Sequence, residues 1–228
     1  MINWSRFVSV GFALVLVLTV TIWLMYSPER VLEKYELKSS LKQLKEEQIN
    51  QVLNAYVGES FWQLNIEQIH ANLVQLDWVY QAEVSRKWPN ALQVKVVEQI
   101  PVAKWGNNGL LNQNGDIFYP HNIENFTDYT ILYGEDIDAK NILKKLARFQ
   151  QYFNQLGWVI RQVDKRVDKG WMLHFVSNQK MVLGWKDWQH QLERFIKAYP
   201  KVKKEVRNNA QTYDLRYSNG FVIEIIDK

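Results

Sequence analysis

Two serine–lysine tetrads are the first residues in this chain whose types and spacing could do chemistry. Ser39 and Lys42 form one tetrad, and Ser177 and Lys180 form the other. In penicillin-binding enzymes a serine nucleophile stands three residues before a lysine, but those enzymes also carry Ser-Asp-Asn and Lys-Thr-Gly motifs. Neither motif occurs in this sequence. We therefore interpret both tetrads as chance matches at strand ends and expect no catalytic residue.

The sequence predicts no metal ion and no cofactor. It contains no cysteine, which excludes disulfides, thiol catalysis and thiolate ligands. The four histidines are scattered, and none is followed by another histidine three or four residues later, the spacing that places two ligands on one helix face. A glycine-rich phosphate loop is also missing. A paired-carboxylate site stays open at this point, although no two carboxylates stand out.

The charge balance argues against a nucleic-acid partner. Lys and Arg number 28 against 24 Asp and Glu, giving a net charge of +4. Nucleic-acid binding needs basic residues clustered on one face. The densest basic stretch runs from Lys197 to Arg207, and it also contains Glu205. We expect this stretch to be a solvated face, or to contact acidic lipid or protein.

One uncharged apolar run, from Phe7 to Met25, sets the layout of the chain. At 1.5 Å per residue it would span about 29 Å as a helix, close to the hydrocarbon thickness of a bilayer. The sequence predicts a transmembrane helix over residues 7–26, with residues 1–6, including Arg6, as a short cytoplasmic tail. A cleaved signal peptide is the alternative. Its apolar core is usually shorter and is followed by small residues, which Met25-Tyr26-Ser27-Pro28 does not supply.

The next segment, residues 34–104, follows the order β-α-α-β-β. A short strand at Tyr35–Lys38 precedes two segments with helical periodicity, which start near Ile49 and at Ile66. From Tyr80 the period changes to two, and Trp88-Pro89-Asn90 reads as the turn of a hairpin. These residues predict a hairpin packed against two helices.

Residues 105–228 are richer in strands. Asn114-Gly115 is a strong signal for a tight hairpin turn, and Asn219-Gly220 repeats it near the end of the chain. Amphipathic spacing predicts two helices, at 139–153 and 188–199. The sequence therefore predicts a mixed β-sheet domain with two helices, closed by a hairpin of strands 213–218 and 221–226.

Several stretches resemble one protein family. Trp88 to Ala103 is similar to the end of a POTRA domain, whose element order is β-α-α-β-β. A POTRA domain directly after one membrane span and before a compact β-rich domain resembles the FtsQ/DivIB family of bacterial cell-division proteins. The stretches Leu146–Phe149, Ala198–Pro200 and Tyr213–Gly220 fit that family as well. The resemblance implies an α+β fold with a single N-terminal transmembrane helix, a POTRA domain and a mixed β-sheet domain with two helices.

The resemblance also implies a function and a location. The family consists of non-enzymatic scaffolds of the divisome that link early and late division proteins and bind the FtsB–FtsL complex at the septum. The N-terminus would be cytoplasmic, the anchor would lie in the cell inner membrane, and the body would be periplasmic, with the POTRA domain engaging other division proteins. Two alternatives remain: an enzyme that acts on the cell wall, and a transport-type POTRA protein.

The last strand carries the predicted partner site. Apolar residues alternate along it on both faces, and a final strand at a sheet edge invites strand addition. From the pattern alone, Tyr217 and Phe221 are ordinary core residues and Arg216 is a surface charge. The resemblance instead implies that FtsB is bound by Arg216, Tyr217, Asn219, Gly220, Phe221, Ile223 and Ile225. A second basic residue, Lys169 or Arg166, is expected to share the charge contact.

Overall fold

The structure, a computed structural model, describes residues 4–25, 30–167 and 170–225, and side chains in the first helix only for residues 10–23. Its contacts divide the chain into two compact units, Met1–Gln99 and Ile100–Lys228. The helices of the first unit are α1 (Trp4–Met25), α2 (Glu46–Asn54) and α3 (Ile66–Val74), and its strands are β1 (Lys34–Leu37), β2 (Val79–Lys87) and β3 (Ala91–Glu98).

Helix α1 coincides with most of the predicted membrane span. It has 22 residues, and its described large apolar side chains, from Val10 to Trp23, are exposed to solvent. Judged on the described side chains, no helix of the chain reaches the length and apolarity that crossing a membrane requires. Tyr26, the last residue of the predicted span, and residues 1–3 of the predicted tail lie outside the described residues.

The predicted β-α-α-β-β order of the first unit is confirmed. Its sheet has the order β1-β3-β2, in which β1 runs parallel to β3 and β2 runs antiparallel to it. Helix α3 begins where Asn65 accepts a hydrogen bond from the Gln68 amide at 3.0 Å, which caps the helix N-terminus. The two helices bury one apolar face each, supplying Ile49, Leu53, Ile69 and Leu73 to the core.

The fold of the first unit starts before its first strand. Leu32 is buried, its amide donates to the Glu59 carbonyl at 2.9 Å, and its own carbonyl accepts from Gly58 at 2.9 Å. The amide of Phe61 likewise donates to the Arg30 carbonyl at 2.8 Å. Residues 30–33, here called the lead-in segment, therefore belong to this unit, although the predicted domain began at residue 34.

The second unit is built on a nine-stranded sheet with the order β12-β11-β10-β9-β8-β7-β4-β5-β6. Its strands are β4 (Pro101–Trp105), β5 (Gly109–Asn112), β6 (Ile117–Phe118), β7 (Ile131–Tyr133), β8 (Ile160–Arg166), β9 (Gly170–Phe175), β10 (Lys180–Leu183), β11 (Ala210–Asp214) and β12 (Val222–Ile225). Its helices are α4 (Ala139–Asn154), α5 (Trp188–Ala198) and the short α6 (Lys204–Asn209). The mixed sheet is confirmed, whereas the prediction of two helices missed α6.

Both long helices cover the same face of this sheet. Helix α4 connects β7 to the parallel β8, and α5 connects β10 to the parallel β11. Two right-handed crossovers that advance in the same direction along a sheet place their helices on one face. That face holds the core, where Phe149, Phe153 and Phe195 are fully buried. The opposite face carries half-buried polar side chains, among them Asp164 and Asp214.

The boundary between the units differs from the predicted one. Residues 101–104 were predicted to end the POTRA domain, but β4 pairs with β5 and β7 in the nine-stranded sheet. Only Gln99 and Ile100 separate β3 from β4, so the sequence shows no loop where the chain changes sheets. The contacts divide the chain between Gln99 and Ile100.

We predict that a fragment of residues 30–99 folds by itself and unfolds cooperatively in urea. A fragment of residues 34–99 lacks buried Leu32 and the hydrogen bonds of the lead-in segment, so its free energy of unfolding should be lower by at least about 2 kcal/mol. Extending the fragment to residue 104 should add no stability, because β4 belongs to the other sheet. Equal stability of the two shorter fragments would contradict the role of the lead-in segment.

Candidate partner-binding site

Strand β12 is the outer strand of the nine-stranded sheet. It pairs antiparallel with β11, and among the described residues no strand pairs with its other side. Two of its apolar side chains face solvent, since Val222 is 46% exposed and Ile225 is 50% exposed. The free edge therefore combines unpaired backbone groups with exposed apolar side chains, the features that favour strand addition.

The predicted site residues of β12 and its flank differ in how far they are buried. Phe221 and Ile223 pack against the core, and the ring centroids of Phe195 and Phe221 are 5.1 Å apart. Ile225 and Val222 are exposed. Phe221 and Ile223 therefore fix the strand to the domain, while Ile225 remains available to a partner. Val222 is a further exposed residue that the predicted set omitted.

The predicted tight turn at Asn219-Gly220 is wrong. Strand β11 ends at Asp214, which is paired with Val222, so residues 215–221 form a longer connection. A two-residue type I′ turn needs positive φ at both central residues. Neither Asn219 nor Gly220 has a positive φ, although the predicted turn at Asn114-Gly115 does have Gly115 at φ +81°. Asn219 is exposed and Gly220 half-buried within the connection.

An arginine on α5 organises this connection in place of a tight turn. Arg194 donates from Nη1 to the carbonyl of Ser218 at 2.7 Å, and from Nη2 to the carbonyls of Tyr217 at 2.6 Å and Gly220 at 3.2 Å. A longer contact of 3.4 Å reaches the carbonyl of Leu215. The planar guanidinium suits this task because its N–H groups form a rigid fork. The sequence analysis missed Arg194, whose only signal is an arginine placed directly beside the apolar stripe of α5.

Arg216 forms an ion pair inside the chain. Its Nη2 and Nε donate to the two carboxylate oxygens of Asp214 at 2.6 and 2.9 Å, and its backbone amide donates to the same carboxylate at 3.1 Å. The guanidinium hydrogen bond holds the pKa of Asp214 below its usual value, against the opposing effect of burial. The same hydrogen bond raises the pKa of Arg216. Arg216 is thus held in one orientation at the exposed surface beside β12.

The remaining predicted contacts lie at different distances from this edge. Tyr217 is exposed in the connection, next to Arg216. Arg166 ends β8, which is separated from β12 by β9, β10 and β11. Four spacings between strands amount to about 19 Å, so one partner would touch both Arg166 and β12 only by lying across the sheet. Lys169, the other candidate, lies outside the described residues.

The two serines of the serine–lysine tetrads, and one of the histidines, make contacts within the fold. Ser39 accepts a hydrogen bond from the Val96 amide at 2.6 Å, and the Ser177 hydroxyl donates to Gln179. His174 lies 3.0 Å from a carboxylate oxygen of Asp164 on the sheet face opposite the helices. Within the described ranges, no three potential metal-ligating side chains come together.

Two family models match the chain in tandem. Residues 32–99 match the model described as "POTRA domain, FtsQ-type", and residues 103–216 match the model described as "Cell division protein FtsQ/DivIB, C-terminal". The first match begins within the lead-in segment. The second ends at Arg216, so β12 lies beyond the matched region.

Curated proteins with the name "Cell division protein FtsQ" are similar over most of the chain. The Coxiella burnetii protein is 29% identical over 182 residues, covering 79% of this chain and 74% of its own. The Nitrosospira multiformis protein is 27% identical over 204 residues, covering 87% and 85%. The Allochromatium vinosum protein reaches 32% identity over 152 residues, covering 66% and 60%.

We predict that Arg194→Gln loosens the connection between β11 and β12. The shorter, neutral amide cannot reach the same carbonyls, so the free energy of unfolding should fall by about 1.5–3 kcal/mol. Hydrogen exchange of the amides of residues 215–221 should become faster. Lys197→Gln is the matched control, because Lys197 is exposed on the same helix, and it should change stability by less than about 0.5 kcal/mol. Unchanged exchange in Arg194→Gln would rule out the bracing role.

We predict that the stabilisation by Asp214 is lost in acid. Its folded-state pKa is depressed, so the ion pair stabilises the fold above the unfolded-state pKa, near pH 4. That contribution disappears as the pH falls from there through the folded-state pKa. Urea unfolding should show Asp214→Asn less stable than the parent at pH 7, by about 1 kcal/mol or less because Arg216 is nearly half exposed.

The gap between Asp214→Asn and the parent should close below about pH 4. Asp128→Asn, at an exposed position, serves as the control and should show no such pH dependence. A gap of constant size down to pH 2 would exclude the ion pair as its cause.

Proposed function

The chain belongs to the FtsQ/DivIB family of cell-division proteins, and on that premise we propose that it is a non-enzymatic scaffold of the bacterial divisome. Helix α1 anchors it in the inner membrane, with the N-terminus cytoplasmic and the body in the periplasm. The edge of β12 receives the FtsB–FtsL complex at the septum. The POTRA unit, here residues 30–99, engages other division proteins.

The observation that carries the proposal is the unpaired outer side of β12. An added strand gains a row of backbone hydrogen bonds there, which supplies affinity with little dependence on sequence. Val222 and Ile225 offer apolar area on that strand. Because Phe221 and Ile223 pack on the core, the edge is ordered before the partner arrives, which lowers the entropy cost of binding.

Arg216 and Tyr217 supply specificity beside this edge. The hydrogen bonds to Asp214 use Nε and Nη2 of Arg216, and Nη1 makes no hydrogen bond to the described residues. A partner carboxylate can therefore bind Nη1 without breaking the internal ion pair. Tyr217 is exposed and adds a rigid aromatic surface of the kind that is enriched at interfaces.

The anchor is proposed from the sequence of α1 and from family membership. The run from Phe7 to Met25 carries no charge, and the large described side chains of α1 are apolar. Confining the body to a layer at the membrane raises its effective concentration for other anchored partners. This tethering explains how a protein without enzymatic chemistry contributes to division.

We predict that two separate changes weaken binding of the FtsB–FtsL complex from the same bacterium. Ile225→Lys places a charge on the apolar edge and should weaken binding at least tenfold, about 1.4 kcal/mol. Arg216→Glu reverses the charge contact and should cost about 2–5 kcal/mol where the complex buries that contact. Isothermal titration calorimetry of the full chain in detergent measures both effects.

Three controls separate binding from folding. Val176→Lys and Arg161→Glu make corresponding changes of charge at exposed positions away from β12. Both variants should bind the FtsB–FtsL complex normally. Arg216→Glu brings a second carboxylate next to Asp214, so the double variant Asp214→Asn/Arg216→Glu should regain stability without regaining binding. Normal binding by well-folded Ile225→Lys and by the double variant would refute the docking edge.

A further inference from the structure

We propose that one end of the POTRA unit contacts the headgroup region of the bilayer through an aromatic patch. This interfacial patch consists of Trp62 and Trp88, bordered by Val31 and Val57. The inference rests on the membrane anchor of the proposed function. It adds an orientation, because the end of the POTRA unit that carries the interfacial patch would face the bilayer.

The patch is built around the lead-in segment. The indole rings of Trp62 and Trp88 lie 4.8 Å apart, and both lie beside the ring of Phe61, at 5.3 and 6.2 Å. Val31 is paired with Ser60 in an isolated bridge. The exposed side chains of Val31, Val57 and Trp88 therefore surround the point where the chain enters the unit.

The hydrogen bonds at this end hold the patch rigidly. Arg86 donates to the carbonyls of Phe61 at 3.1 Å, Trp62 at 3.3 Å and Leu64 at 2.7 Å. On the other side, the amide of Glu33 donates to the carbonyl of Asn90, two residues after Trp88, at 3.0 Å. The turn that carries Trp88 and the segment that carries Trp62 are thus both fixed to the lead-in segment.

The short stretch of chain between α1 and the lead-in segment indicates that the surface facing the patch is the bilayer. Helix α1 ends at Met25, and Arg30 already forms a backbone hydrogen bond with Phe61. Five residue steps span at most about 17 Å. If α1 spans the bilayer, this end of the unit can never be farther than that from the end of the helix, so the patch remains within reach of the headgroups.

The chemistry of the patch suits that environment. Tryptophan is enriched at membrane–water interfaces, where its large ring lies among the headgroups and its N–H finds polar partners. A matched comparison lies on the same strand, because β2 begins near Tyr80 and ends just before Trp88, and both side chains are 43% exposed. We expect Trp88 to contact lipid and Tyr80, about 26 Å away along the strand, to face water.

Site-directed spin labelling tests the proposal in the full chain, since the absence of cysteine allows single labels. Labels replace Leu16 in α1, Val57 in the patch, and Val74 at the other end of the unit. Val57 and Val74 are matched, with exposures of 42% and 39%. The chain is reconstituted in phosphatidylcholine nanodiscs, and each label's collision rate is measured with oxygen, which is enriched in lipid, and with a water-soluble nickel chelate.

The expected result is a severalfold higher ratio of oxygen to nickel collisions at Leu16 and Val57 than at Val74. Adding Trp88→Ala should lower the ratio at Val57, whereas Tyr80→Ala should not, with melting temperatures confirming that both variants are folded. A Val57 ratio equal to that of Val74, with Leu16 in lipid, overturns the patch and leaves the anchor intact. If Trp88→Ala leaves the collision ratio at Val57 unchanged, the interfacial patch is likewise overturned. A collision ratio at Leu16 as low as that of a water-exposed label would overturn the anchor and the patch together.

Discussion

The attachment of the last strand to helix α5 is the interaction on which the candidate binding edge depends. A strand of four residues with one neighbour has too few backbone hydrogen bonds to hold its own position. Two contacts with α5 supply what is missing: Phe195 packs against Tyr213 and Phe221, and Arg194 binds the carbonyls of the connection between β11 and β12. Because these contacts lie on the core side, the outer side of β12 remains free.

This arrangement separates two roles within a few residues of sequence. Alternation along a strand places successive side chains on opposite faces. Phe221 and Ile223 therefore stabilise the domain, while Val222 faces away from the core, and Ile225 is exposed at the end of the strand. Truncating the first pair would alter binding through the fold, whereas changing the second pair would alter the surface alone. The ion pair between Asp214 and Arg216 extends the same logic, because it orients a charged group at the surface without immobilising it in the core.

The POTRA unit is asymmetric along its length in a comparable way. At one end the lead-in segment, the turn after β2 and the segment after α2 are joined by backbone hydrogen bonds, and exposed aromatic and aliphatic side chains cluster there. At the other end Glu98 accepts hydrogen bonds from the amides of Lys42, Gln43 and Leu44, which fixes the chain before α2 by polar contacts. The first end is thus distinguished by its paired indole rings, and the second by a carboxylate that holds the chain before α2.

The sequence by itself determined the element order of the POTRA unit, the mixed sheet and the family, because these follow from local periodicity and from motifs such as the Asn65 cap and the Asn114-Gly115 turn. Tertiary structure alone decided the boundary between the two units, since β3 and β4 pair in different sheets although only two residues separate them. It also overrode the local preference of Asn219-Gly220 for a tight turn. Arg194, distant in sequence, donates hydrogen bonds to the carbonyls of Tyr217, Ser218 and Gly220 in the longer connection. A contact between a helix and a loop leaves no periodic signal in either segment.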